Sequence, residues 1–145
     1  MKHFLAVVVL ILLSIFCSYG QLMQTAYDAQ KLKDNDSLFI GKPLRVLLKE
    51  IGAPIKVVFT ESHGPHKALS LLLFKFVDSA GMRRYERAGI RSLSVLVYVF
   101  ENFDWNKSAS TKKQWTPEDA AKLGHLTVAR IGIVGKYLGD DPTAL

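Results

Sequence analysis

The sequence predicts an α+β fold in which helices pack on one face of an antiparallel sheet of about four strands. Three observations carry that expectation. "GKPLRVLLKEIGAP" sets Leu44, Leu47, Leu48 and Ile51 at i, i+3, i+4 and i+7, one apolar stripe of a helix. "ALSLLLFKFVD" (68–78) and "SLSVLVYVFE" (92–101) are rich in β-formers and apolar on both faces over their middles. The chain has no internal repeat, no low-complexity block and no dividing linker, so residues 21–145 read as a single domain large enough to bury its own core.

Residues 1–20, "MKHFLAVVVLILLSIFCSYG", have the three parts of a secretory signal. Lys2 supplies the positive start, Phe4 to Phe16 the largely apolar middle, and Ser18-Tyr19-Gly20 the small residues a signal peptidase reads. A spanning helix needs roughly 20 apolar residues, more than this run offers, so export with cleavage is expected and no transmembrane span remains afterwards. Cys17 is the one cysteine. Phe16 before it fits a lipoprotein peptidase badly, so lipidation is disfavoured. Cleavage removes that thiol, and with it any disulfide, cysteine nucleophile or thiolate metal site. The domain must then hold together by burial alone, in the periplasm, the envelope or the medium.

Along the mature chain, residues 21–33 carry a modest helical pattern through Leu22, Met23, Ala26, Tyr27 and Ala29, which "KDNDS" (33–37) interrupts as a solvated turn. That turn lacks the glycine and distal glutamate of a calcium hand. The helix at 43–51 is expected to place Pro43 in its first turn and Gly52 in the left-handed position after its end, with Pro54 stopping continuation. "IKVVFTE" (55–61) opens the sheet. The apolar second face of the later strands implies partial cover, by residues 21–33 or by a partner. "NFDWNKSASTKKQW" (102–115) reads as a polar loop. "TPEDAAKLG" then marks a short helix, with Thr116 as N-cap, Pro117 at the first position, Glu118 and Asp119 in the first turn and Gly124 at the end. "LTVARIGIVGKY" (126–137) is a last strand whose glycines mark a bulge or close packing, since they lack phosphate-loop spacing.

Two segments carry candidate chemistry. "ESHGPH" gathers Glu61, His63 and His66 between two strands. Its Gly-Pro suits a turn. As a metal site it offers too few ligands for firm zinc, which wants three or four converging side chains, so a turn is the preferred reading and weak zinc or copper binding the alternative. "SAGMRRYERAGIR" (79–91) holds Arg83, Arg84, Arg87 and Arg91, the densest basic cluster, and reads as a solvated connection between strands. One tyrosine among these arginines is too few aromatics for a single-strand nucleic-acid binder, and the net charge of +6 is spread along the chain, so nucleic acid is not an expected partner. No cofactor motif is present. There is no Gly-x-Ser-x-Gly elbow, His-Glu-x-x-His or Walker loop.

The spacing Gly41…Leu47…Ile51-Gly52-Ala53-Pro54 resembles the glycine-started helix ending in Leu-Gly-x-Pro of the SmpA/OmlA (BamE-like) envelope proteins, with related units in the β-lactamase-inhibitor-like fold. The resemblance covers this helix and its stop, with Ile51 in place of the leucine. It implies helices on one face of an antiparallel sheet and a role in binding other proteins. The chain departs from those proteins in its added "WTPEDAAKLG" helix and last strand, and in the expected loss of Cys17. It is also similar in plan to short exported bacterial proteins without an assigned activity. The expectation for function is a non-catalytic exported binding module for an envelope or secreted protein, using Tyr98, Trp105 and the arginines at 83, 84, 87 and 91. The alternatives are a small-ligand or metal protein built on the 61–66 loop, and a hydrolase with dispersed acids.

Overall fold

The computed structural model describes residues 20–61, 69–103 and 111–139. The expected leader, the histidines His63 and His66, and Trp105 lie outside the described residues. The α+β class is what forms. Four helices, α1 (Ala29–Asp34), α2 (Leu44–Glu50), α3 (Ser79–Arg87) and α4 (Pro117–Leu123), accompany five strands: β1 (Val57–Glu61), β2 (Ser70–Lys75), β3 (Ser94–Val99), β4 (Thr111–Gln114) and β5 (Val128–Val134). All pairings are antiparallel, in the order β4-β1-β2-β3-β5.

The register explains the core. It lines up Val58, Phe74, Val95 and Ile133 in one row, and Thr60, Leu72, Val97 and Ile131 in the next. Alternation along each strand puts all of these on one face. That face joins a single cluster with Met23, Ala26, Ala29, Leu32, Leu44, Leu47, Leu123 and Leu126, contributed by the helices and their flanks. Leu44 and Leu47 of the predicted stripe are fully buried, each contributing roughly 1.5–3 kcal/mol of transfer free energy.

The 21–33 segment folds as a 3-10 turn, Ala26–Asp28, leading into α1. Its buried residues belong to the same cluster as α2, so it does not cover the second face of the sheet. Upstream, Met23 docks on the end of α2: its N–H donates to the Glu50 carbonyl, and its own carbonyl accepts from Gly52. This changes two expectations for α2. Pro43 is its N-cap, in extended conformation, and α2 ends at an extended Ile51. Gly52 is not left-handed. A Cβ there would meet only the movable end of the exposed Gln21 side chain before the Met23 carbonyl at 3.4 Å.

Two elements replace expected connections. Residues 79–87 form α3, not a solvated link. Asp78 caps it by accepting from the Gly81 N–H at 2.6 Å. Its end is a Schellman motif: Ile90 donates to the Tyr85 carbonyl, Gly89 donates to that of Glu86, and Gly89 sits at φ 69°. Only Gly81 and Tyr85 of α3 are buried, so the apolar stripe that marks α2 is absent. Residues 111–114 form β4 within the expected polar loop, by pairing with the free edge of β1. In α4 the expected capping box forms: the Thr116 hydroxyl accepts from the Asp119 N–H, and the Asp119 carboxylate accepts from the Thr116 N–H. The bulge of β5 falls at Ala129, opposite Tyr98 and Val99, not at its glycines. Gly135 is the site of close packing.

Candidate binding surface

Residues of α1, α2 and α4 join the core on the first sheet face, and the other face is defined by its own rows. Alternation places Phe59, Leu73, Leu96 and Gly132 in one row, and Glu61, Leu71, Tyr98 and Arg130 in the next. Leu71, Leu73, Leu96 and Tyr98 are half-buried, whereas their core-facing neighbours Leu72, Phe74, Val95 and Val97 are sealed. Tyr98 and Arg130 are direct cross-strand partners. The Arg130 guanidinium lies 4.0 Å from the centre of the Tyr98 ring, within reach for cation–π attraction. The bulge at Ala129, next to Arg130, adds local twist where that pair forms. The arrangement presents aliphatic side chains flanked by a stacked tyrosine–arginine pair.

The structure separates the expected partner residues into two places. Tyr98 stands in the row of Leu71 and Arg130, four residues along β3 from the row of Val57, Lys75, Ser94 and Val134, on the order of 13 Å away. Of the arginines, Arg91 lies near that second row, where its charge acts on Lys75. Arg83 and Arg87 are exposed one turn apart on α3, with the Arg87 Nε donating to the Arg83 carbonyl. Arg84 is half-buried, and Arg91 is exposed beyond the helix. Arg130 was not among the expected residues. Nothing in a sequence pairs it with Tyr98 until the register of β3 on β5 is known.

Of the metal candidates, Glu61 is exposed at the end of β1. Among the described residues no three His, Cys, Asp or Glu side chains converge, and no helix is long and apolar enough to cross a membrane. The acids with shifted pKa have local causes. Asp28 is held down at about 2 by Lys31, then by the Thr25 N–H and hydroxyl. For Glu101, burial pushes its pKa up. The Thr127 hydroxyl and N–H, donating at 2.5 and 2.7 Å, outweigh it, and the net direction is down.

Lys75 is different. It is half-buried, and its Nζ donates to the Ser92 carbonyl at 3.0 Å and to the Ser92 hydroxyl at 2.9 Å. Burial, and then the charge of Arg91, push its pKa below the ordinary lysine value of 10.5. The folded protein therefore releases this proton before the unfolded chain does. The penalty is fully present below the folded pKa, and stability rises as pH climbs from the folded pKa towards 10.5. Arg91→Gln is expected to move the Lys75 pKa upward. An NMR titration of the lysine side-chain signals checks this, and an unmoved Lys75 would show that Arg91 does not act on it.

No protein-family model matches the chain, and no curated protein or solved structure matches it either.

Proposed function

We propose that the protein is a non-catalytic binding module, exported to the periplasm, the envelope or the medium, that grips another protein with the second face of its sheet. The observation that carries this reading is the Tyr98–Arg130 pair set among half-buried leucines. Tyrosine and arginine dominate binding hot spots, and a ring already stacked under a guanidinium has less freedom to lose on docking. The leader "MKHFLAVVVLILLSIFCSYG" supports export.

The test is cross-linking and affinity capture from the native envelope or culture medium, followed by titration of the captured protein. Tyr98→Ala and Arg130→Ala are each expected to weaken binding by roughly thirtyfold, the ~2 kcal/mol of a hot spot. Unchanged circular dichroism separates lost contact from lost fold. Capture that survives both substitutions would remove this face from the function.

A further inference from the structure

Beyond that reading, we propose that the groove between the end of α3 and the end of β5 is a small-ligand site for an oxyanion, phosphate or carboxylate, carried on an apolar body. The groove encloses about 390 Å³ and is lined by Gly89, Ile90, Arg91, Gly135, Lys136 and Leu138. Small-molecule pockets run from about 300 to 1,000 Å³, mostly apolar with a few placed polar groups. This one has that composition: Ile90 and Leu138 with two stretches of glycine backbone, and two cations.

The backbone ties together the two segments that carry those cations. Ser92 and Lys136 form a parallel bridge, the Lys136 N–H donates to the Arg91 carbonyl at 2.9 Å, and the Leu93 N–H donates to the Lys136 carbonyl at 2.8 Å. The Schellman turn at Gly89 aims the chain from α3 into this bridge. Tyr85 holds the other wall: its buried hydroxyl accepts from the Leu138 N–H at 2.6 Å and donates to the Gly139 carbonyl at 3.4 Å. The site is therefore built from a helix end and a strand end that are locked together.

Among the described residues its charge is unbalanced. Lys75 reaches from the sheet to Ser92, the residue after Arg91 and the bridge partner of Lys136. Among the described residues, no carboxylate forms an ion pair with Arg91 or Lys136. Glu86, exposed on α3, pairs with neither. Burial depresses the Lys75 pKa first, and the charge of Arg91 adds to it, so Arg91 and Lys75 repel one another here. A bound oxyanion relieves that repulsion. A guanidinium beside an ammonium suits such a group, the first by two parallel N–H donors and the second by point charge. Ile90 and Leu138 give the ligand's apolar part its contact.

Isothermal titration of the purified protein with octyl phosphate, octanoate, octyl glucoside and inorganic phosphate, each below its micelle concentration, tests the proposal. Octyl phosphate or octanoate is expected to bind, at least about tenfold more tightly than neutral octyl glucoside or inorganic phosphate, a difference of about 1.4 kcal/mol. Arg91→Gln with Lys136→Gln is expected to abolish that preference, with the thermal midpoint not lowered, because both side chains are exposed and the repulsion on Lys75 is relieved. Amide shifts on binding are expected at Gly89 and Gly135, not at Leu71 and Tyr98, so this site and the sheet face fail or succeed separately. Co-sedimentation with phosphatidylglycerol vesicles, lost in the double variant, assigns the oxyanion to a lipid headgroup. Binding of octyl phosphate without co-sedimentation assigns it to a free amphiphile. Equal affinity for octyl glucoside, undiminished binding by the double variant, or no binding of either anionic probe at millimolar concentration overturns the proposal.

Discussion

Phe74→Ala is expected to destabilise the fold by about 3–5 kcal/mol and to lower the thermal midpoint by on the order of 10–20 °C. Phe74 has 0% of its surface exposed and sits in the central strand pair of the helix-covered face, between Val58 and Val95. Its ring meets Trp115 edge-on, with centroids 5.0 Å apart at 75°. Truncation therefore removes the transfer free energy of a large side chain, leaves a cavity that neighbouring strands cannot close, and loses an aromatic pair worth about 0.5–1.5 kcal/mol. Trp115 also follows β4 directly, so the loss of its partner should loosen that edge strand. Urea unfolding measures the effect. The midpoint should fall while the denaturant slope stays constant, since the surface exposed on unfolding is almost unchanged. A loss under about 1 kcal/mol would mean that the cluster repacks around the hole, and that the sheet is less tightly filled than its burial implies.

The parts of this architecture that could be read from the chain are those that announce themselves locally. Helix α2 has its Leu44–Leu47 stripe, and α4 has Thr116, Pro117 and Asp119 at fixed offsets, signals contained in a few consecutive residues. Strands β1 to β3 declare themselves by β-branched and aromatic content. Helix α3 hides because a single large side chain, Tyr85, anchors it, and its arginines look like a solvated link. Its punctuation was nevertheless present, in Asp78 before it and Gly89 after it. Strand β4 had no such signal. Thr-Lys-Lys-Gln has little apolar character, and it extends because the edge of β1 offers backbone partners, a tertiary effect that propensity does not encode.

The same division governs the candidate sites. Tyr98 could be chosen by its chemistry, but the value of Arg130 depends on one register in one strand pair. Arg91 was noticed as part of a charge cluster. Its neighbour Lys136 lies far along the chain and is brought beside it by a single parallel bridge. Local pattern thus identifies which side chains are chemically capable, and the sheet register decides which of them act together. The arginine-rich segment shows the consequence: its members divide between an exposed helix face and a groove wall.

Gly135→Ala is the other substitution expected to cost the fold heavily, and it tests how the groove is made. Gly135 has φ 81°, and a Cβ there would stand 2.4 Å from the Ser92 carbonyl oxygen and 2.5 Å from that of Arg91. The left-handed conformation alone costs an L residue roughly 1–2 kcal/mol. The clash adds to this, because both obstacles are backbone atoms, and the Arg91 carbonyl accepts the Lys136 N–H. A total of about 3 kcal/mol or more is expected, in the upper range for point substitutions. Gly41 and Gly89 supply the controls. Both have positive φ, at 77° and 69°, with nothing within 4 Å of a built Cβ, so their alanine variants should show the conformational term only, about 1–2 kcal/mol. The comparison is made by urea unfolding of the three variants side by side, and a Gly135→Ala midpoint no lower than the other two would mean that the strands part there freely. Relief of the clash requires the 135–136 backbone to move off 91–92, which separates the Arg91 and Lys136 side chains. Any folded Gly135→Ala protein should therefore also lose affinity for octyl phosphate, although neither cation has been altered.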